Sequence, residues 1–186
     1  FNVLVDSRVA SKITQGITTE ITGEGVSIAP VNDQMVADRK ASYEFFKVPQ
    51  DFRTLAEYFT KLETAKSAVN IGTFVGSGGL RDYVIGKADR AATADASAKM
   101  QALVAQARAD GALGVSSSLQ YIPNRFSTTE ELVALAKTAA ASGGIYITHQ
   151  RSEGNKVFES VQEVLTIAVQ ANIPAEIWHL KTAYKA

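Results

Sequence analysis

The chain has 186 residues, of which 46% are hydrophobic and 20% charged, a composition that fits one globular domain and is too apolar for a disordered chain. Its 19 Lys and Arg residues balance 19 Asp and Glu residues, so general nucleic-acid binding is disfavoured. No apolar run approaches the roughly 20 residues of a membrane span, and the lack of cysteine excludes a disulfide scaffold or a thiolate zinc finger.

Five short segments rich in β-branched residues recur along the chain, and most are continuous apolar runs typical of buried parallel strands. They are 17–22, 69–75, 112–116, 145–148 and 175–178. Between them, apolar residues recur every three or four positions, which predicts amphipathic helices. Alternating strands and helices indicate an α/β fold with a parallel sheet. A closed (β/α)8 TIM barrel needs about 250 residues, so about five βα units form either an open doubly wound sheet or part of such a barrel.

Two local patterns carry more specific predictions. Ser127 and Glu130 have the spacing of a capping box, which predicts a helix that begins there and stops at 143–144. The glycine-rich run 76–79 has neither GxGxxG nor the lysine of a Walker motif. We therefore expect a flexible loop there rather than a phosphate cradle.

Ionisable residues follow several of the predicted strands, where ligands bind in both open parallel sheets and barrels. Glu24 lies between two glycines after the first strand, and the only two histidines, His149 and His179, follow the fourth and fifth. About one βα unit separates the histidines, which predicts neighbouring strands and equal height. Imidazole nitrogens and a carboxylate oxygen are zinc ligands. The pattern favours a shared zinc site over two separate buried histidines, and Glu24 is either a ligand or a turn residue.

A cation follows each histidine by two positions, namely Arg151 and Lys181. If the strands continue, each cation points to the same side as its histidine. Tyr121 lies in a strand-to-helix loop, either as a packed aromatic with its hydroxyl in water or as part of the same site.

At these residues the sequence resembles the N-acyl-D-amino-acid deacylases of the amidohydrolase superfamily. The matching stretches, similar in order and spacing, are 15–25, 80–86, 111–123, 146–153 and 176–181. The resemblance implies a zinc-bearing (β/α)8 barrel beside a small β-domain. It also implies hydrolysis of an N-acyl-D-amino acid to a carboxylate and the free D-amino acid.

The resemblance further implies roles for single residues. The metal ligands would be Glu24, His149 and His179, with Glu24 at a position where many relatives have a bridging cysteine. The substrate's carboxylate would be held, or its carbonyl polarised, by Tyr121, Arg151 and Lys181, of which Tyr121 and Lys181 are the candidate catalytic residues. Ser77 stands where relatives commonly have a histidine.

Two parts of the family's site are expected outside this chain, a His-x-His metal pair upstream and a general-base aspartate downstream. We therefore expect residues 1–186 to be an internal portion of a metal-dependent hydrolase barrel domain, truncated at both ends. Such a piece would be inactive or nearly so alone, and would form oligomers or need the missing barrel segments. The expected partner is a small molecule, not nucleic acid or a membrane, and the compartment stays open.

Two other functions remain possible. One is an amidohydrolase of dihydroorotase or hydantoinase type acting on cyclic amides, although those relatives usually bridge their metals with a carboxylated lysine, and Glu24 in that position speaks against it. The other is a non-catalytic α/β module that holds an anionic small molecule at the same strand ends.

Overall fold

The computed structural model describes residues 2–183, and Phe1 and residues 184–186 lie outside the described part. The helices are α1 Asn2–Val5, α2 Ala10–Ile13, α3 Asp33–Phe45, α4 Leu55–Ala65, α5 Ser77–Val84, α6 Ala94–Ala109, α7 Thr129–Ala140 and α8 Val157–Ala171, with a 3-10 turn at Asn124–Phe126. The strands are β1 Thr19–Thr22, β2 Asn70–Thr73, β3 Val75–Gly76, β4 Gly114–Ser118, β5 Ile145–His149 and β6 Ala175–Ile177. No helix among residues 2–183 has the length and apolar character to cross a membrane.

The strands form two parallel sheets, β1–β2 and β3–β4–β5–β6. One residue, Phe74, separates β2 from β3, so the second sheet begins where the first one ends. In both sheets of the described residues the strand order follows the sequence without a reversal. The predicted parallel α/β fold is confirmed, and every predicted strand segment overlaps a strand, the second segment overlapping two.

The hydrophobic core lies between the four-stranded sheet and the helices that connect its strands. Leu132 and Leu135 of α7 are 1% and 0% exposed and belong to the same apolar cluster as Val115 of β4 and Tyr146 of β5. Burying each such leucine stabilises the fold by roughly 2 kcal/mol. Packing of α7 on β4 and β5 therefore holds these two strands in place.

Helix α7 begins one residue later than the capping-box spacing predicts. Thr128 is the N-cap, and its hydroxyl accepts a hydrogen bond of 3.2 Å from the backbone N–H of Glu131. Ser127 instead donates to the Glu131 carboxylate at 2.9 Å in the interior. Two consecutive hydroxyl residues are each followed three positions later by glutamate, so the spacing alone fits both starts.

The run 76–79 is not the flexible loop that its glycines suggest, because α5 begins inside it and its residues are buried. A Cβ on Gly76 would lie 2.4 Å from the backbone of Gly25. The Gly78 N–H donates to the Gly25 carbonyl at 2.8 Å. These glycines let α5 approach the loop that carries Glu24, a close backbone contact that side chains would block.

Replacing Gly114 by alanine is expected to destabilise the sheet, because the new Cβ would lie 1.9 Å from the Ile145 carbonyl oxygen on β5. We expect a loss of about 1–3 kcal/mol in the free energy of unfolding, measured by urea denaturation. Gly79→Ala is the matched control, because its Cβ would meet its nearest neighbour at 3.7 Å and alanine favours the helix by about 1 kcal/mol. An unchanged urea midpoint for Gly114→Ala would contradict the β4–β5 register.

Candidate metal centre

The three predicted ligands converge at the carboxyl ends of the strands. His149 is the last residue of β5, and its Nδ1 lies 3.1 Å from Glu24 Oε1 and 3.0 Å from His179 Nε2. The third distance, from His179 Nε2 to Glu24 Oε1, is 3.2 Å. The structure thus brings together, in one triangle, the side chains that the sequence placed after three different strands.

The size of this triangle fits a zinc ion. Tetrahedral zinc bonds of about 2.0–2.1 Å separate neighbouring ligand atoms by about 3.3 Å, and the three observed separations of 3.0, 3.1 and 3.2 Å are close to that value. Two imidazole nitrogens and one carboxylate oxygen are donors that zinc accepts. Three ligands also leave a position for water or substrate, which catalytic zinc sites require.

The loop that carries Glu24 is shaped by two glycines with positive φ, 92° at Gly23 and 66° at Gly25. A Cβ on Gly25 would lie 2.3 Å from Ser118 Cβ on β4, so no larger residue fits there. Ser116 of β4 donates its hydroxyl hydrogen to the Gly23 carbonyl and accepts a bond of 3.1 Å from the Gly25 N–H. Strand β4 therefore holds the loop on both sides of Glu24.

The two histidines occupy neighbouring strand ends, as their spacing predicted. Thr148 of β5 pairs with Ile177 of β6, and the centroids of the two imidazole rings lie 4.6 Å apart. The His149 side chain is 8% exposed, whereas that of His179 is 39% exposed. His179 lies two residues beyond β6 with φ 39°, so its ring reaches the cluster from a turn and not from a continuing strand.

Tyr121 and Lys181 flank the cluster. The Tyr121 ring meets the His149 ring edge-on at a centroid distance of 5.3 Å, and the residue is 60% exposed. Lys181 Nζ lies 3.0 Å from His179 Nδ1. Both side chains thus contact a histidine of the cluster, and their catalytic and substrate-binding roles stay predictions.

Arg151 is engaged elsewhere, which corrects the expectation that it shares a side with His149. Strand β5 ends at His149, so the alternation of a strand does not extend to Arg151. The guanidinium donates two bonds of 2.8 Å to the carboxylate of Glu163 on α8, and two of 3.0 Å to the carbonyls of Arg125 and Ser127. The bonds to Glu163 raise the pKa of Arg151. A substrate carboxylate could form a bidentate pair with Arg151 only by displacing Glu163.

Ser77 also lies away from the triangle, in a buried network. The side-chain amide of Asn124 donates 2.8 Å to Ser77 Oγ, and its oxygen accepts 2.6 Å from the backbone N–H of Ser118. Ser77 is fully buried. Its contacts therefore support the end of β4 and the loop after it.

Glu153 is the site residue that the sequence analysis missed. Its side chain is 11% exposed, and its Oε1 lies 2.5 Å from Lys181 Nζ and 3.4 Å from His179 Nδ1. The hydrogen bond from Lys181, aided by the nearby histidines, lowers the pKa of Glu153 against the opposing effect of burial. Glu153 lies outside any strand or helix, so no periodicity marks its direction.

The fold and the cluster together define an α/β protein with a candidate metal centre at the carboxyl ends of parallel strands. The sequence is 35% identical over 177 residues to the D-aminoacylase of Alcaligenes xylosoxydans xylosoxydans, covering 91% of this chain and 35% of that protein. It is 31% identical over 186 residues to the N-acyl-D-aspartate deacylase of the same organism, covering 97% of this chain and 36% of that protein. No family model matches the chain.

Solved structures give the same relationship. A crystal structure of D-aminoacylase, described as defining a novel subset of amidohydrolases, matches with a TM-score of 0.83 and 33% identity, over 95% of this chain and 37% of that one. A second solved structure is an N-acyl-D-glutamate deacylase from Bordetella bronchiseptica, complexed with zinc and a phosphonate mimic of the tetrahedral intermediate. It matches with a TM-score of 0.75 and 28% identity, over 88% of this chain and 34% of that one. The resemblance to the N-acyl-D-amino-acid deacylases is confirmed, and the chain spans about a third of the length of these relatives.

Proposed function

We propose that this chain is the metal-binding portion of a zinc-dependent hydrolase that cleaves the amide bond of N-acyl-D-amino acids. The observation that carries the proposal is the convergence of Glu24, His149 and His179 at zinc-like separations. The relatives support it, because they are named for this reaction and one of them holds zinc with a mimic of the tetrahedral intermediate. Another solved D-aminoacylase structure concerns the role of its binuclear metal centre, so a second metal is part of the proposal.

We also propose that residues 1–186 form an internal part of a (β/α)8 barrel domain. Within residues 2–183 the strand order follows the sequence in both sheets, as in a barrel, whereas a doubly wound sheet reverses its order at a switch point. The match to about a third of the D-aminoacylase chain supports this arrangement. A piece of a barrel has strand edges that pair readily with further segments or with other copies.

The reaction adds the oxygen of water to the acyl carbon and breaks the bond between that carbon and the amide nitrogen. The products are a carboxylate and the free D-amino acid. When bound, zinc supplies Lewis-acid polarisation and activation of water at neutral pH. Beside the cluster, Tyr121 and Lys181 are the proposed donors to negative charge on the carbonyl oxygen, and Lys181, which Glu153 holds on the outer side of His179, has to leave that contact to reach it. One such donor contributes about 3 kcal/mol to transition-state stabilisation in other enzymes.

Binding of the substrate's carboxylate is assigned to cations at the same strand ends. Lys181 has half of its side chain exposed beside His179 and carries the required charge. Arg151 would form a bidentate pair with a carboxylate, but only after releasing Glu163. Tyr121, exposed above the His149 ring, completes the predicted substrate-binding set.

The isolated 186-residue chain is expected to bind zinc and to hydrolyse N-acetyl-D-amino acids at less than about 1% of the rate of a full-length D-aminoacylase. The family's proton-transferring aspartate is expected outside this chain, and such a group contributes about 10²–10⁴-fold to the rate. Competition with a chromophoric chelator measures zinc binding, and release of the free amino acid measures turnover.

Four outcomes would contradict this proposal or favour one of its alternatives. A chain that takes up no zinc would contradict the metal centre, and rapid turnover by the isolated chain would contradict the missing base. Preference of the complete gene product for a cyclic amide would favour a dihydroorotase or hydantoinase type. Ligand binding that needs no zinc and survives both His149→Ala and His179→Ala would favour a non-catalytic module.

A further inference from the structure

Glu153 lies on the outer side of the histidine pair, opposite the triangle of candidate ligand atoms. His149 directs Nδ1 into the triangle and His179 directs Nε2 into it, which leaves His149 Nε2 and His179 Nδ1 facing outward. Glu153 Oε1 lies 3.8 Å from the first of these nitrogens and 3.4 Å from the second. One carboxylate oxygen therefore faces both outer nitrogens.

The two outer nitrogens need an acceptor. A neutral imidazole that gives a lone pair to a metal keeps its proton on its other nitrogen, so both outer positions would be N–H donors. His149 Nε2 is buried, and it has no hydrogen-bond partner among residues 2–183. Lys181 Nζ, 3.0 Å from His179 Nδ1, donates to that nitrogen when charged, and once a metal takes the lone pair of Nε2 the proton moves to Nδ1, where Lys181 cannot accept it. The neighbouring group with acceptor capacity is the carboxylate of Glu153.

Resting on the proposed function, we propose that Glu153 is a positioning residue that accepts from the outer N–H groups of both histidines and anchors Lys181 beside them. A shift of a few tenths of an ångström brings its Oε1 into hydrogen-bond range of His179 Nδ1, and a larger one is needed for His149 Nε2 at 3.8 Å. The same oxygen already accepts 2.5 Å from Lys181. Its low exposure strengthens each of these bonds, because the local dielectric is low. Glu153 thereby determines which ring nitrogens present lone pairs to the metal.

The side chain of Glu153 can be changed without removing its loop contact. The backbone carbonyl of Glu153 accepts a bond of 2.6 Å from the N–H of Ala183, and this bond does not involve the carboxylate. Glu153→Ala removes the acceptor, and Glu153→Gln keeps one acceptor oxygen without the charge. Glu159→Ala is the matched control, since it removes an exposed glutamate six residues further along.

The test combines zinc affinity with nitrogen-15 NMR of the imidazoles, which is tractable because the chain has only two histidines. With zinc bound, the wild-type spectrum is expected to show protons on His149 Nε2 and His179 Nδ1. Glu153→Ala is expected to weaken zinc binding about 10–100-fold and to speed proton exchange at both positions. Glu153→Gln is expected to recover part of the affinity, and Glu159→Ala to match the wild type.

Zinc affinity within twofold of wild type and unchanged proton positions in Glu153→Ala would overturn the proposal. Failure of the wild-type chain to bind zinc would instead refute the proposed function. The inference about Glu153 is then tested in the metal-free spectra. There Glu153→Ala must shift the His179 Nδ1 and Lys181 Nζ signals, and unchanged signals would overturn it.

Discussion

Replacing His149 by alanine is expected to weaken zinc binding by about a hundredfold or more and to abolish hydrolysis by the complete gene product. Four-ligand structural zinc sites bind with about 10–16 kcal/mol, so each ligand contributes roughly 3 kcal/mol, and about 1.4 kcal/mol is a factor of ten. His149 contributes two of the three short distances in the triangle, 3.1 Å to Glu24 and 3.0 Å to His179. Chelator competition and zinc content after dialysis measure the loss.

Glu24→Gln and His179→Ala are expected to weaken zinc binding in the same direction, because each removes or neutralises one corner of the triangle. Glu20→Gln is the matched control, since Glu20 lies on β1 and pairs with Lys12 at 2.7 Å. The metal-free stability of each variant is measured in parallel to separate ligand loss from unfolding. Full zinc affinity in His149→Ala would show that the triangle is not a metal site.

The ligand set was predictable from sequence because regular strands carry residues to a common edge. Parallel pairing of β5 and β6 brings the ends of these two strands together, and the turn after β6 then carries the His179 ring to His149. Glu24 required more, since its loop reaches the cluster only through the positive φ of Gly23 and Gly25. Flanking glycines made such a loop plausible without giving its direction.

The neighbours of the ligands were not predictable, because they follow the end of β5. Arg151 and Glu153 both lie within four residues of His149, and sequence reasoning chose the cation. The chain leaves the strand after His149, which sends Arg151 to Glu163 and brings Glu153 to Lys181. Loop backbone angles decide that outcome, and no periodicity in the sequence encodes them.

Helix α3 was also missed, for a different reason. Helix α3, Asp33–Phe45, buries only Met35 and Tyr43, so it lacks the apolar stripe by which amphipathic helices are recognised. Its start is marked by Asn32, whose side-chain oxygen accepts 2.8 Å from the backbone N–H of Met35. A local cap signal was present, but a cap without an apolar stripe is weak evidence.

Replacing Arg81 by methionine is expected to lower the free energy of unfolding by about 3–5 kcal/mol, because it leaves Glu131 charged and buried without its partner. The two side chains are 0% and 3% exposed, and Arg81 donates 2.7 Å to the Glu131 carboxylate. A second guanidinium nitrogen donates 2.6 Å to the carbonyl of Arg90. Chemical denaturation of the single variant measures the cost.

The double variant Arg81→Met with Glu131→Leu is expected to recover most of that stability, because replacing both members of a buried pair with apolar residues is often neutral. About 1 kcal/mol stays lost, because Ser127 no longer has the Glu131 oxygen that it contacts at 2.9 Å. Lys40→Ala, which removes one partner of an exposed pair at 3.7 Å, should change stability by less than about 1 kcal/mol. If Arg81→Met costs no more than Lys40→Ala, the buried pair does not join α5 to α7. Because α5 also contacts the loop of Glu24 through the 2.8 Å bond from the Gly78 N–H to the Gly25 carbonyl, zinc affinity should fall together with stability.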